Sequence, residues 1–229
     1  YQERSDTKLH LPLNEVLYDE FEEVIATEHA HNGWFTEENI RRALKGIAFA
    51  LEESKVKHWV GQYDHIPVKK SDSKIVGVVM AGNIPLVGFH DLISVLASGH
   101  TLLAKLSSKD ERLIKLFVKL LIQIEPSLSG NLILTDDYLN KTDAIIATGS
   151  NNTGRYFEYY FKDIPHIIRK NRNGVAVLTG KESTEDLYKL GDDIFSYFGL
   201  GCRNVTKLFL PKEYQPEKIL QVLEEFQSL

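Results

Sequence analysis

Apolar residues change their spacing along this chain, and the changes predict its elements. Up to about residue 70 the period is helical. Leu17, Phe21, Val24 and Ile25 share one face of a first helix. After the turn-like His31-Asn32-Gly33, Thr36 is placed to cap a second helix, whose stripe is Ile40, Ala43, Leu44, Ile47, Ala48 and Leu51. From Lys74 the pattern becomes short β-branched runs. Ile75–Met80 predicts a strand buried on both faces. The turn Ala81-Gly82-Asn83-Ile84-Pro85 follows, then a helix over Leu86–Ser98 ended by Gly99. Further strands are predicted at Thr101–Leu106, Asn131–Thr135, Ala144–Thr148 and Val175–Leu178. Between them, Ser108 with Glu111 reads as a capping box for a helix reaching about Ile124, and the turn at Gly149–Gly154 opens another helix through Phe161.

Strand and helix thus alternate at βαβ spacing. The fold class expected is α/β, a mostly parallel sheet with helices on both faces. Such sheets bind ligands beyond the carboxyl ends of their strands. The turns of interest are therefore Gly82-Asn83, Lys105–Ser108 and Gly149-Ser150. Beyond them, Ser183 with Asp186 predicts a capped helix buried through Leu187, Leu190, Ile194 and Phe198. It runs into Gly199-Leu200-Gly201-Cys202-Arg203-Asn204, followed by a strand at Val205–Leu210 and a last helix begun by Pro216.

Composition narrows the function. The 229 residues carry a net charge of -5, which gives no basic footprint for nucleic acid. No apolar run is long enough to span a membrane, and YQERSDTKLHLP lacks a signal-peptide core. The one methionine is Met80, so the chain is expected to be a piece of a longer protein. A single cysteine rules out intrachain disulfides and multi-cysteine zinc sites, and a cytoplasmic location is expected. The eight histidines show no metal-binding spacing, and no metal site is expected. His166 is a minor candidate for proton transfer.

Three features carry candidate chemistry. Gly199-x-Gly201 is not a dinucleotide fingerprint, because it follows a helix and precedes a strand. Cys202 reads either as a small buried hydrophobe or as a nucleophile. Flanking glycine allows close approach of a ligand, and Arg203 sets a positive charge beside the thiol. Gly149-Ser150-Asn151-Asn152-Thr153-Gly154, between strand and helix, suits an anion at a helix start or simple capping by Ser150 or Asn151.

Four of these segments, taken in order, resemble the aldehyde dehydrogenase superfamily: Gly82-Asn83-Ile84-Pro85-Leu86, Leu103–Ser108, Thr148–Gly154 and Gly199–Cys202. More narrowly, Arg169-Lys170-Asn171-Arg172-Asn173-Gly174 together with Gly201–Val205 resembles its acyl-CoA reductase branch, which includes the fatty-acid reductase of bacterial bioluminescence. The resemblance implies a helical N-terminal arm (1–70), a nucleotide-binding domain (71–180) and the start of a catalytic domain (181–229). It implies that Cys202 attacks an acyl carbonyl, that Asn83 and the Cys202 N–H stabilise the oxyanion, and that Lys105, Gly149, Ser150 and Gly154 hold the cofactor.

Two departures from the superfamily refine that expectation. Aldehyde-oxidising members carry a water-activating glutamate where this chain has Ile168-Arg169-Lys170-Asn171. NAD-preferring members carry a glutamate where this chain has Ser108, followed by Lys109. The expected cofactor is NADPH, with NADH as the alternative. The expected substrate is an acyl-CoA or acyl-protein thioester, fatty acyl in kind, and the full-length protein is expected to be a homo-oligomer. An acyl-phosphate reductase, or a non-catalytic cofactor-binding or scaffold fragment, are the alternatives.

Overall fold

The computed structural model describes residues 13–63 and 69–226. Residues 1–12 and 64–68, part of the expected N-terminal arm, lie outside the described residues. The chain divides into two compact units, residues 1–170 and 171–229.

The larger unit begins with helices α1 (Leu13–Thr27), α2 (Glu37–Ala50) and α3 (Glu53–Val60). Thr36 caps α2 as expected, its side chain accepting from Asn39 N. A five-stranded parallel sheet follows: β1 (Ile75–Val79), α4 (Phe89–Ala97), β2 (Thr101–Lys105), α5 (Glu111–Ile124), β3 (Leu132–Thr135), β4 (Ala144–Thr148), α6 (Asn151–Tyr160) and β5 (His166–Arg169). The strand order is β3-β2-β1-β4-β5. The chain therefore builds outward from β1 in one direction and then in the other. That reversal creates a crevice at the strand ends.

Alternation sorts the side chains to two faces. Val76, Val78, Leu102, Ala104 and Leu132 join α4, α5, α1 and α2 in the main core. Phe21 and Phe89 both pack on Phe117 of α5, at 5.7 and 4.9 Å between ring centroids. Val79, Leu103, Ile145, Ala147 and Ile168 face the other way, with Phe157 and Phe161 at α6. Gly77 of β1 has no room for a side chain, since a Cβ there would meet Ile145 Cδ1 at 2.5 Å.

The smaller unit holds β6 (Gly174–Val177), α7 (Thr184–Phe195), β7 (Val205–Phe209) and α8 (Glu217–Glu224). β6 and β7 pair in parallel, and Leu178, Leu187, Ile219 and Val222 form the core beneath them. The Ser183–Asp186 capping box is present, each residue's side chain accepting from the other's backbone N–H.

The structure corrects four expectations. The strand at 174–177 pairs with β7 and not with the five-stranded sheet, whose edge is instead β5, a strand the apolar pattern did not announce. Its residues His166 and Ile167 are exposed, so no buried run marks it. The Ser108–Glu111 box does not form. The residue before α5 is Asp110, whose carboxylate turns away to Leu86. The helix after Asn83 begins at Phe89, because Leu86 adopts a left-handed φ of 59°. Finally, α7 stops at Phe195, and Tyr197 and Phe198 are left-handed (φ 55° and 56°), which leaves Phe198 exposed. Among the described residues no helix is long and apolar enough to cross a membrane.

Candidate functional site

Because β1, β2, β4 and β5 run parallel, their carboxyl ends share one edge of the sheet. That edge gathers Asn83, Lys105, Ser108, Lys109, Gly149, Ser150 and Gly154, seven of the eight residues singled out in the sequence. Cys202 belongs to the smaller unit.

After β1 the backbone passes through buried Gly82 and bends at Asn83 and Ile84, with Asn83 exposed. A Cβ on Gly82 would lie 2.8 Å from Ser107 Cβ, so only glycine lets this bend approach the loop after β2. Gly88 is similarly packed beneath Met80. The Leu86 N–H donates to Asp110 Oδ2 at 2.7 Å. Asp110 is buried, and among the described residues its Oδ1 has no hydrogen-bond partner. Burial pushes its carboxyl up to about 8, against the lowering effect of the Leu86 N–H.

At the end of β2, Lys105 Nζ donates to the carbonyls of Asp136 (3.0 Å) and Asp137 (3.4 Å), beside the Tyr138 ring. Ser108 and Lys109 are exposed on the following loop. The N-terminal helices reach this loop, where Asn32 Nδ2 donates to Lys109 O at 3.2 Å.

At the end of β4, Ser150 caps α6. Its Oγ accepts from Thr153 N at 3.2 Å and lies 2.9 Å from Thr153 Oγ1. The Gly149 N–H donates to Arg169 O. Gly154 is buried against the Lys170 stem, which a Cβ would meet at 2.7 Å. The first turn of α6 holds no acidic residue, which suits an anion at its N-terminus.

At the end of β5, Arg169 Nη1 bonds both oxygens of buried Asp91 on α4 at 2.7 Å. Lys170 Nζ pairs with Glu158 at 2.6 Å. His166, the minor candidate for proton transfer, turns Nδ1 to the carbonyls of Phe161 and Ile164. Its contacts are those of a local backbone cap.

In the smaller unit, Cys202 is half-buried in a tight turn closed by Asn204 N–H to Gly201 O at 3.1 Å. Gly174, at the start of β6, donates to Asn204 O at 2.8 Å, and a Cβ there would meet Arg203 O at 2.6 Å. The two halves of the motif, Arg169–Gly174 and Gly201–Val205, thus meet at Gly174 and Asn204. An apolar recess of about 440 Å³, lined by Ile194, Phe195, Phe198, Val205 and Leu208 among others, opens beside this turn.

Sequence reasoning missed Asp91, Asp110, Arg169 as an ion-pair partner, and Asn204 as a structural centre. For Asp110 the signal was a carboxylate just before a helix start, read two residues too early as a capping serine. The other partners lie 78 positions apart for Asp91–Arg169 and up to 11 for Asn204, beyond any local pattern.

With this geometry established, comparison with solved structures defines the fold. No protein-family model and no curated protein sequence matches the chain. Among solved structures, aldehyde dehydrogenase 21 from Physcomitrella patens, in complex with the product succinate, aligns at 16% identity and a TM-score of 0.68, over 93% of this chain and 49% of that one. The NAD+ complex of an aldehyde dehydrogenase from Bacillus cereus aligns at 16% identity and 0.65, over 94% and 48%. An NAD-dependent benzaldehyde dehydrogenase from Corynebacterium glutamicum aligns at 16% and 0.64, over 93% and 51%. The chain therefore has an aldehyde-dehydrogenase-like fold, and it spans about half the length of these structures.

Proposed function

We propose that this chain is the nucleotide-binding part, with the nucleophile segment, of an NAD(P)H-dependent reductase that converts an acyl thioester to an aldehyde. The observation that carries the reading is the end of β5. Where the resemblance calls for a water-activating carboxylate, the chain has Arg169 and Lys170, each already paired with an acidic side chain. A covalent acyl intermediate in such a site is protected from hydrolysis and remains available for reduction or for transfer to a thiol.

The strand-end edge suits a nicotinamide dinucleotide. The glycine-cradled bend after Gly82 and the unacidic start of α6 provide close backbone approach and an anion-favouring terminus. Gly149, Ser150 and Gly154 would flank the pyrophosphate, and Lys105 would hold the adenine ribose. Ser108 and Lys109 put no carboxylate against a 2′-phosphate, which favours NADPH over NADH. The Bacillus cereus neighbour, solved with NAD+, supports a nicotinamide cofactor in this fold. When bound, that cofactor supplies hydride to the acyl carbon.

The chain's own residues prepare that carbon. The Cys202 sulfur attacks the acyl carbonyl, forming a C–S bond as the carbonyl π pair moves onto oxygen. The resemblance assigns the donors to that oxyanion as the Cys202 N–H and the Asn83 side-chain amide. Collapse expels the donor thiolate and leaves a thioester on Cys202. The recess beside the turn offers a hydrocarbon acyl chain the side chains of Ile194, Phe195, Phe198, Val205 and Leu208, with Thr206 and Lys207 also in its lining.

The test is to mix the full-length protein with a long-chain acyl-CoA. A mass increase equal to the acyl group on Cys202, absent in Cys202→Ala and discharged to aldehyde on adding NADPH, is expected. No adduct and no loss of NADPH absorbance would leave a non-catalytic nucleotide-binding module. An adduct from acyl phosphate but not from acyl-CoA would change the donor class.

A further inference from the structure

The turn that carries Cys202 is organised around one buried side chain. Asn204 Oδ1 accepts from the Gly201 N–H at 2.7 Å. Its Nδ2 donates to Asp193 O and Ser196 O at 2.9 Å and to Ile194 O at 3.3 Å. The last carbonyls of a helix have no partner within it, and here the Asn204 amide takes those at the end of α7. Its own backbone is fixed as well, by N–H to Gly201 O and by the Gly174 N–H to its carbonyl. Cys202 and Arg203 are the two central residues of a turn bonded twice between its ends. Among the described residues no acceptor takes the Cys202 N–H.

We propose that Asn204 is the positioning residue of the Cys202 turn. By tying α7's end to Gly201, it holds Cys202 in one conformation and leaves the cysteine's own N–H for the reacting oxygen. The proposal rests on the reading of Cys202 as nucleophile. Only an asparagine side chain meets the requirement at this length. Aspartate lacks the donors for the carbonyls, alanine removes the acceptor of the buried Gly201 N–H together with the donors to three part-buried carbonyls, and glutamine is a methylene too long. Asn204 itself touches no substrate in this scheme. It acts by fixing where the sulfur and the N–H stand.

The test uses the full-length protein and reads two adjacent amides. Residue-resolved hydrogen exchange is expected to show Gly201 protected at least about 100-fold over Cys202, an inversion that general rigidity of the loop would not produce. In Asn204→Ala that protection is lost. Acylation of Cys202 by acyl-CoA then slows by about 30-fold or more, while the half-saturating acyl-CoA concentration and the rate of alkylation by iodoacetamide stay within about threefold. Asn204→Asp keeps the acceptor for Gly201 and loses the donors, so it retains Gly201 protection with an intermediate acylation rate. It carries the test if the alanine variant does not fold. Equal exchange at Gly201 and Cys202 in the wild type, wild-type acylation in either variant, or alkylation falling in step with acylation would each overturn the proposal. A wild-type protein that accepts no acyl group sinks the reductase reading instead, and the exchange pattern then decides the role of Asn204 by itself.

Discussion

Asp110 Oδ2 receives the Leu86 N–H at 2.7 Å, joining the start of α5 to a leucine held in the left-handed region. A non-glycine residue there costs roughly 1–2 kcal/mol, so the bond stabilises a conformation the backbone alone disfavours. The segment from Asn83 to α4 depends on it.

Stability should therefore fall as pH rises. Burial, with Glu28 nearby, holds the Asp110 carboxyl up to about 8 in the folded chain, against an ordinary value of 3.8. Between these values the native state binds the extra proton, so unfolding becomes easier with each unit of rising pH, by up to about 1.4 kcal/mol per unit. The contribution is fully present below about pH 4 and is gone above about pH 8. In Asp110→Asn this slope should shrink, leaving the part contributed by Glu28, whose carboxyl burial also raises. Thermal unfolding measured from pH 5 to 9 checks it, and parallel curves for wild type and variant would refute the assignment.

Asn83→Ala should lower the rate of acyl reduction by about 10²–10³, the usual cost of a lost oxyanion donor, with little change in cofactor affinity. Steady-state kinetics with acyl-CoA decide this, and unchanged turnover removes Asn83 from the chemistry.

Arg169→Ala leaves the buried Asp91 carboxylate without its guanidinium. About 3 kcal/mol of stability should be lost, the low end for a broken buried pair because Arg169 is partly exposed. Replacing both residues with apolar ones should recover much of that loss. Denaturant unfolding of the single and double variants measures the difference.

Lys105→Ala should weaken NADPH binding by about 1.5–3 kcal/mol, as expected for a lost charged hydrogen bond. Fluorescence titration with NADPH and NADH tests this together with the preference for the phosphorylated cofactor. An unaltered Kd counts against Lys105 as the ribose contact.

Given an aldehyde and oxidised cofactor but no thiol acceptor, the full-length protein should release little free acid. Brisk acid production would reveal a water-activating base elsewhere than at the end of β5.

Much of the sheet was legible because its central strands are buried or half-buried along most of their length. Ile75–Val79 and Ala144–Thr148 leave an unbroken apolar run in the sequence, and βαβ spacing supplies the rest. Caps were legible where the side chain bonds its own helix, as Thr36, Ser150 and Ser183 do. Asp110 escaped because its bond goes to another segment. The edge strand β5 escaped because edge positions bury little. The place of Val175–Val177 escaped because β-propensity does not reveal which sheet a strand joins. The site followed the same division. Strand-end turns could be named from local order, whereas Asp91–Arg169 and the Asn204 hub exist only once distant residues meet.

The separation of the two sheets bears on how the molecule can be handled. All ladder partners of β1 through β5 precede Lys170, and both strands of the smaller sheet follow Asn171. A protease site engineered into that peptide would sever no rung of either sheet. Each half would keep every strand partner of its own sheet after the cut.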